Sequence, residues 1–143
     1  MGRIMGALAA VTDGARQRVL LADDELPVRA FIAKVLQREG FEILEAVDGL
    51  DALGLLQQMR GDVDVLVTDV KMPRMNGVEL VEKARSEFPG IAVVYISGEQ
   101  LKDRLHNPSR RVIFLQKPFR PQAMLDAIRA VTADSGAVRG FGA

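Results

Sequence analysis

Two adjacent carboxylates, Asp23 and Asp24 in "LLADDE", and a third, Asp69, in "VTDVKMPRMNG" are the side chains best suited to chemistry, with a hydroxyl at Ser97 in "YISG" and an ammonium at Lys117 in "FLQKPF". Each ends or follows a largely apolar run. Carboxylates gathered in one place repel one another, and each raises its neighbours' pKa unless a cation neutralises them. A hard divalent ion does this best: Mg²⁺ takes oxygen ligands, keeps several waters, and binds through one or two carboxylates plus phosphate oxygens. A lysine then supplies a second positive charge aimed at the phosphate, and a serine supplies a hydroxyl donor. The set reads as a phosphoryl-transfer site in which Asp69 is the nucleophile and metal plus Lys117 stabilise charge on the transferring group.

Taken singly, the same residues have plainer uses. Asp23 and Asp24 ahead of Pro27 suit the start of a helix. Ser97 alone is an ordinary cap, and Lys117 alone an ordinary surface cation. Their joint placement decides the matter, and the elements of the chain impose that placement. Five β-rich runs, at 18–23, 41–46, 64–69, 91–97 and 111–116, alternate with segments of helical spacing such as Val28, Phe31, Ile32, Val35 and Leu55, Leu56, Met59. Three of the runs are almost continuously apolar, as strands buried on both faces are. Five strands joined through helices imply right-handed crossovers and an α/β parallel sheet covered on both sides. Ligands then bind outside the carboxyl ends of the strands, where the polar residues fall. Pro73 stiffens the loop after Asp69, and Asn76-Gly77 reads as a turn that tolerates positive φ before a helix begins. The connection 98–110 has only Leu101 and Leu105 as apolar anchors and is stopped by Pro108, so any fourth helix there is short or irregular.

Composition narrows the classes of partner. The chain of 143 residues is one domain's length. With 19 basic residues against 19 acidic, it lacks the charge for binding nucleic acid or an anionic membrane. The absence of cysteine excludes disulfides and thiolate metal sites and fits the cytoplasm. Ile4–Val11 is too short to span a bilayer, and residues 1–17 read as a tail or linker. The folded domain is expected over 18–134, followed by a flexible, glycine-rich tail at 135–143. His106, beside Asn107 and Pro108, is expected to be solvated and not a phosphodonor. Arg104, Arg110 and Arg111 are expected to form a solvated face.

From Arg18 to Thr132 the chain resembles the receiver domains of two-component response regulators. The resemblance rests on an acidic pair after strand one, a phosphoacceptor after strand three, a Ser or Thr after strand four and Lys-Pro after strand five, all present in order. It implies a doubly wound, flavodoxin-like sheet with strand order 2-1-3-4-5. It also implies that Asp69 accepts a phosphoryl group from the phosphohistidine of a sensor histidine kinase or histidine phosphotransfer protein. Asp24 and Asp69 would bind Mg²⁺ with the backbone carbonyl of Lys71, Asp23 would assist through water, and Ser97 and Phe114 would be the switch pair. Receivers vary two residues beyond the acceptor and two beyond the switch hydroxyl; here Lys71 and Glu99 are expected to pair as a lid over the phosphoryl group. The "FLQKPF" run suggests either a stand-alone regulator or a receiver cut from a hybrid kinase.

Other classes fit less well. A Mg²⁺-dependent phosphohydrolase of the haloacid-dehalogenase kind also uses a strand-end aspartate but wants a second acid two residues on, where Lys71 stands. A dinucleotide-binding module wants a glycine-rich turn after strand one, where this chain has "ADDELP". A degenerate receiver serving only as a docking surface would not need the complete phosphorylation set.

Overall fold

The computed structural model describes residues 16–98 and 111–142, with side chains described through residue 133. In chain order the elements are β1 (Arg18–Ala22), α1 (Leu26–Arg38), β2 (Glu42–Ala46), α2 (Gly49–Gln58), β3 (Val65–Asp69), α3 (Gly77–Glu87), β4 (Ala92–Ser97), β5 (Val112–Gln116) and α4 (Pro121–Gly142). The five strands form one parallel sheet in the order β2-β1-β3-β4-β5. Strand composition matches position. VLVTD and AVVYIS are buried at every residue and lie inside the sheet, whereas EILEA and VIFLQ keep exposed or half-buried positions and form its edges.

Alternation along the strands divides the core in two. Leu20, Leu66 and Val93 face α2 and α3, meeting Ala52, Leu56, Leu80, Val81 and Ala84. Val19, Leu21, Val65, Val67, Val94 and Ile96 face α1 and α4, meeting Ile32, Leu36, Met124 and Ile128. Fully burying one such aliphatic side chain stabilises the fold by roughly 1.5–3 kcal/mol. The chain leaves β1 through α1 on one face and leaves β3 through α3 on the other. The crevice between these departures opens at the carboxyl ends of β1 and β3, and it is where ligands of open parallel sheets bind.

Helix starts are set locally. Asp48 caps α2 by accepting the Asp51 N–H at 2.9 Å. Asn76 caps α3 in a reciprocal box with Glu79: its side chain accepts the Glu79 N–H at 2.8 Å, and the Glu79 carboxylate accepts the Asn76 N–H at 3.0 Å. The expected positive-φ turn at Asn76-Gly77 is therefore not what forms. Asn76 is extended (φ −78°), and left-handed backbone occurs instead at Arg74 (φ 68°). Gly77 is required for a different reason. Its N–H donates to the Val70 carbonyl at 2.8 Å, and a Cβ on it would stand 2.1 Å from the Asp69 carbonyl oxygen.

Further differences from the sequence reading have physical causes. Pairing begins at Gln17, whose carbonyl accepts the Glu42 N–H at 2.9 Å. The backbone of α4 stays helical to Gly142, beyond the residue-134 boundary expected from composition. No proline interrupts 122–142, and each glycine there costs a helix only about 1 kcal/mol. Arg111 does more than form a solvated face: its guanidinium donates to the Gly90 carbonyl, while Arg85 donates to the Arg111 carbonyl at 3.3 Å. The expected short fourth helix, Glu99, Arg104, His106 and Arg110 lie outside the described residues. No described helix is long and apolar enough to cross a membrane.

The same substitution at two glycines should have opposite effects. Gly77→Ala is expected to cost about 1–3 kcal/mol or more by driving a methyl into the Asp69 carbonyl. Gly54→Ala, inside α2 with nothing within 4 Å of the new methyl, should stabilise by about 0.4–1 kcal/mol. Urea denaturation of both variants checks the pair.

Candidate functional site

Parallel register brings the polar residues to one rim. Asp69 closes β3 opposite Ile96, Ser97 closes β4 opposite Gln116, and Asp23 and Lys117 are the residues just beyond β1 and β5. Backbone hydrogen bonds hold this edge in place: Asp23 N–H to Ala46 O at 3.2 Å, Val70 N–H to Ile96 O at 3.1 Å and Lys117 N–H to Ser97 O at 2.8 Å. Asp24, Asp69, Lys71, Ser97 and Lys117, all expected from the sequence, line a cavity of about 340 Å³ with Glu25 and Gly98. Asp23 is fully buried beside it. Phe114 does not line this cavity; it is half-buried and packs against the core beneath α2 and α3.

Lys117 is the centre of charge. Its Nζ lies 3.1 Å from Asp69 Oδ2, 3.5 Å from Glu25 Oε1 and 4.0 Å from Asp23 Oδ2. Burial works to lower its pKa, but the hydrogen bond and charge of Asp69, with the charges of Asp23 and Glu25, outweigh burial and hold it above its ordinary value. The second oxygen of Asp69, Oδ1, accepts a long hydrogen bond of 3.4 Å from the Lys71 N–H.

One carboxylate oxygen of each of Asp23, Asp24 and Asp69 lies within 4.8 Å of the others. Asp23 Oδ1 accepts the Glu25 N–H at 2.9 Å, but the buried Oδ2 has no hydrogen-bond donor. Buried polar oxygens are almost always satisfied. An orphaned oxygen on one of three gathered carboxylates fits a hard cation at this spot, and an all-oxygen donor set suits Mg²⁺ or Ca²⁺ over softer metals.

Mutual repulsion was the expected cause of raised carboxylate pKa values. At Asp23 the largest cause is burial, which with the Asp69 and Glu25 charges lifts the carboxyl from 3.8 to about 6 against the Glu25 N–H and Lys117. Glu25 was not anticipated as a site residue. Its place before Pro27 reads as a helix cap, yet its side chain makes no capping bond and turns to Lys117. The third acid in "ADDELP" was the available signal. Arg74 was equally illegible: its guanidinium reaches Asp48, 26 positions away. Beside the polar cavity, Pro27, Val28, Phe31, Pro118 and Phe119 line an apolar groove of about 520 Å³ that also reaches Lys117.

Because the folded pKa of Asp23 lies above the unfolded one, the folded chain keeps a proton that the unfolded chain has lost between about pH 4 and 6. This contribution to stability is fully present below about pH 4 and is lost as pH rises through 6. In metal-free protein, Asp23→Asn should match the parent near pH 4 and exceed its stability by up to about 3 kcal/mol above pH 7. Urea denaturation in chelator across this range checks it; a difference independent of pH would contradict the burial of a charge at Asp23.

Comparisons with known proteins agree with this geometry. Sensor kinase CckA of Brucella abortus is 37% identical over 103 residues, which cover 71% of this chain but only 11% of the kinase. Chemotaxis protein CheY1 of Helicobacter pylori is 34% identical over 119 residues, covering 80% of this chain and 95% of CheY1. The crystal structure of the CheX-CheY-BeF3-Mg complex from Borrelia burgdorferi superposes with a TM-score of 0.71 at 25% identity, covering 80% of this chain and 88% of the matched chain. The family model of the response regulator receiver domain matches residues 19–129, and with Asp23, Asp69, Ser97 and Lys117 on one sheet edge the chain belongs to that family.

Proposed function

We propose that this chain is a phosphorylation-dependent switch in which Asp69 is the phosphoacceptor. A phosphohistidine on a sensor histidine kinase or a histidine phosphotransfer protein supplies the phosphoryl group. A carboxylate oxygen of Asp69 attacks phosphorus, the phosphorus–nitrogen bond breaks, and the released imidazole nitrogen takes a proton from solvent. The product is an acyl phosphate, which water later hydrolyses to return the carboxylate.

The observation that carries this reading is the Lys117 ammonium 3.1 Å from Asp69 Oδ2, inside a cavity also lined by Asp24, Glu25, Lys71, Ser97 and Gly98. Lys117 holds the Asp69 carboxylate and presents positive charge to phosphoryl oxygens, where charge must be stabilised in the transition state. Ser97, buried at the end of β4, offers a hydroxyl to the same oxygens. Asp23, Asp24 and Asp69, with the main-chain carbonyl of Lys71, are the groups that would hold Mg²⁺, which when bound neutralises charge on the phosphoryl group. The Mg²⁺ of the structurally similar CheX-CheY-BeF3-Mg complex from Borrelia burgdorferi supports that choice of ion. Ser97 and Phe114 remain the switch pair of this reading, with Phe114 half-buried at the edge strand β5.

A macromolecular donor suits the surroundings. Phe31, which lines the apolar groove, is 48% exposed, and Leu26, next in sequence to the groove's Pro27, is 61% exposed, a surface of little use to a small phosphorylated metabolite. The net charge of zero argues against nucleic acid as the output partner, and a Cys-free chain fits the cytoplasm. Turnover of free substrates is not part of this reading: Lys71 occupies the position at which a phosphohydrolase of the haloacid-dehalogenase kind carries its second acid.

Incubation with radiolabelled acetyl phosphate and Mg²⁺ should label the parent with an acid-labile phosphoryl group and leave Asp69→Asn at background. Label persisting in Asp69→Asn would exclude Asp69 as the acceptor. Asp24→Asn should retain labelling but require at least about tenfold more Mg²⁺ for half-maximal rate.

A further inference from the structure

Arg74 sits in the loop between Asp69 and α3 with φ 68°, a left-handed conformation that a residue with a Cβ adopts at a cost. Such a conformation persists only where surrounding contacts hold it, and two contacts are present. The Arg74 Nε donates to one oxygen of Asp48, Oδ2, at 2.7 Å, and Nη2 pairs with the same oxygen at 2.6 Å. The next residue, Met75, lies so close to Gly49 that a Cβ there would stand 2.3 Å from the Met75 carbonyl oxygen. Residues 74 and 75 are thus seated on residues 48 and 49.

Asp48 divides its two oxygens between two tasks. Oδ1 accepts the Asp51 N–H and caps α2, while Oδ2 takes the guanidinium. The carboxylate side chain is 7% exposed; burial works to raise its pKa, but the Asp51 N–H and Arg74 hold it below the ordinary value. At its other end the loop is closed by the Gly77 N–H on the Val70 carbonyl at 2.8 Å, and it carries Lys71, whose N–H meets Asp69 Oδ1. The loop therefore has one anchor at its base and one at its tip, and the tip anchor lies on a different crossover from the acceptor.

We propose that Arg74 and Asp48 form a clamp that positions residues 70–76 against Asp69, so that the geometry of the acceptor and of its Lys71 cation ligand is set from the capped end of α2. Arg74 and Asp48 are positioning residues; neither lines the polar cavity. The link to cation binding rests on the function proposed above, whereas the link to loop position does not.

Arg74→Gly separates the clamp from general stability, because glycine accepts φ 68° without strain while removing the guanidinium. Its melting temperature should stay within a few degrees of the parent. Amide exchange at Lys71 and Gly77 in metal-free protein should accelerate about tenfold, and the Mg²⁺ dissociation constant should rise about three- to tenfold. Phosphorylation by acetyl phosphate should slow at limiting Mg²⁺ and recover at saturating Mg²⁺. Asp48→Asn, which keeps an oxygen for the Asp51 N–H, should reproduce these effects, and Arg74→Lys should restore them in part. Unchanged amide exchange in Arg74→Gly overturns the clamp, whatever the Mg²⁺ result; so does changed exchange with Mg²⁺ affinity equal to a Mg²⁺-binding parent. A parent that binds no Mg²⁺ instead strikes the proposed function, with exchange still deciding the clamp's hold on the loop.

Discussion

Asp23 holds a carboxylate with no solvent exposure at the carboxyl end of β1, and one of its oxygens has no hydrogen-bond donor. Taking a charge out of water is costly unless another charge compensates it. Lys117 lies 4.0 Å from that oxygen but is shared with Asp69 and Glu25, both nearer to it. Among the described residues, the carboxylates of Asp23, Asp24, Glu25 and Asp69 gather here with Lys71 and Lys117, and the three aspartates form an all-oxygen donor set that suits a divalent cation. The proton that Asp23 keeps to about pH 6 is the substitute when no cation is bound.

The sheet makes this concentration of charge possible. Strands β1, β3 and β4 are buried through almost their whole length, so their apolar residues fix register from both faces. A one-residue slip would exchange the two faces of a strand and move its terminal carboxylate off the rim. Hydrophobic packing therefore sets the positions at which like charges are forced together, where a bound cation would relieve the repulsion. Lys117 arrives from the edge strand β5, which is less buried than the central strands, and its ammonium reaches Asp69 at 3.1 Å.

Much of this was legible in the sequence because it depends on strand ends and periodicity. The runs ending in Asp69 and Ser97 are almost continuously apolar and β-rich, as central parallel strands are, which places their last polar residues at one edge. Contacts that join distant residues through loop conformation were not legible. Nothing in "MPRMNG" announces that Arg74 takes the left-handed conformation; the Asn76 cap had a signal in Glu79 three residues on, which the Asn-Gly turn reading passed over. Nor does "ADDELP" announce that Glu25 turns from its own helix to a lysine 92 residues away. Repulsion among the acids was anticipated, but burial as the larger cause at Asp23 depends on how α1 and β2 close over it, which is a tertiary property. The persistence of α4 past residue 134 shows the converse weakness of composition: glycine lowers helix stability without forbidding it.

Proton release during Mg²⁺ titration tests most directly whether a buried carboxylate at Asp23 is compensated by a cation in the site around Asp69. Calorimetry in buffers of different ionisation enthalpy counts the protons displaced when the metal binds. With Asp23 titrating at about 6, Mg²⁺ should displace nearly one proton at about pH 5 and almost none at about pH 8, with tighter binding at the higher pH. Binding that displaces no proton at any pH, or that is equally tight at both, would contradict it.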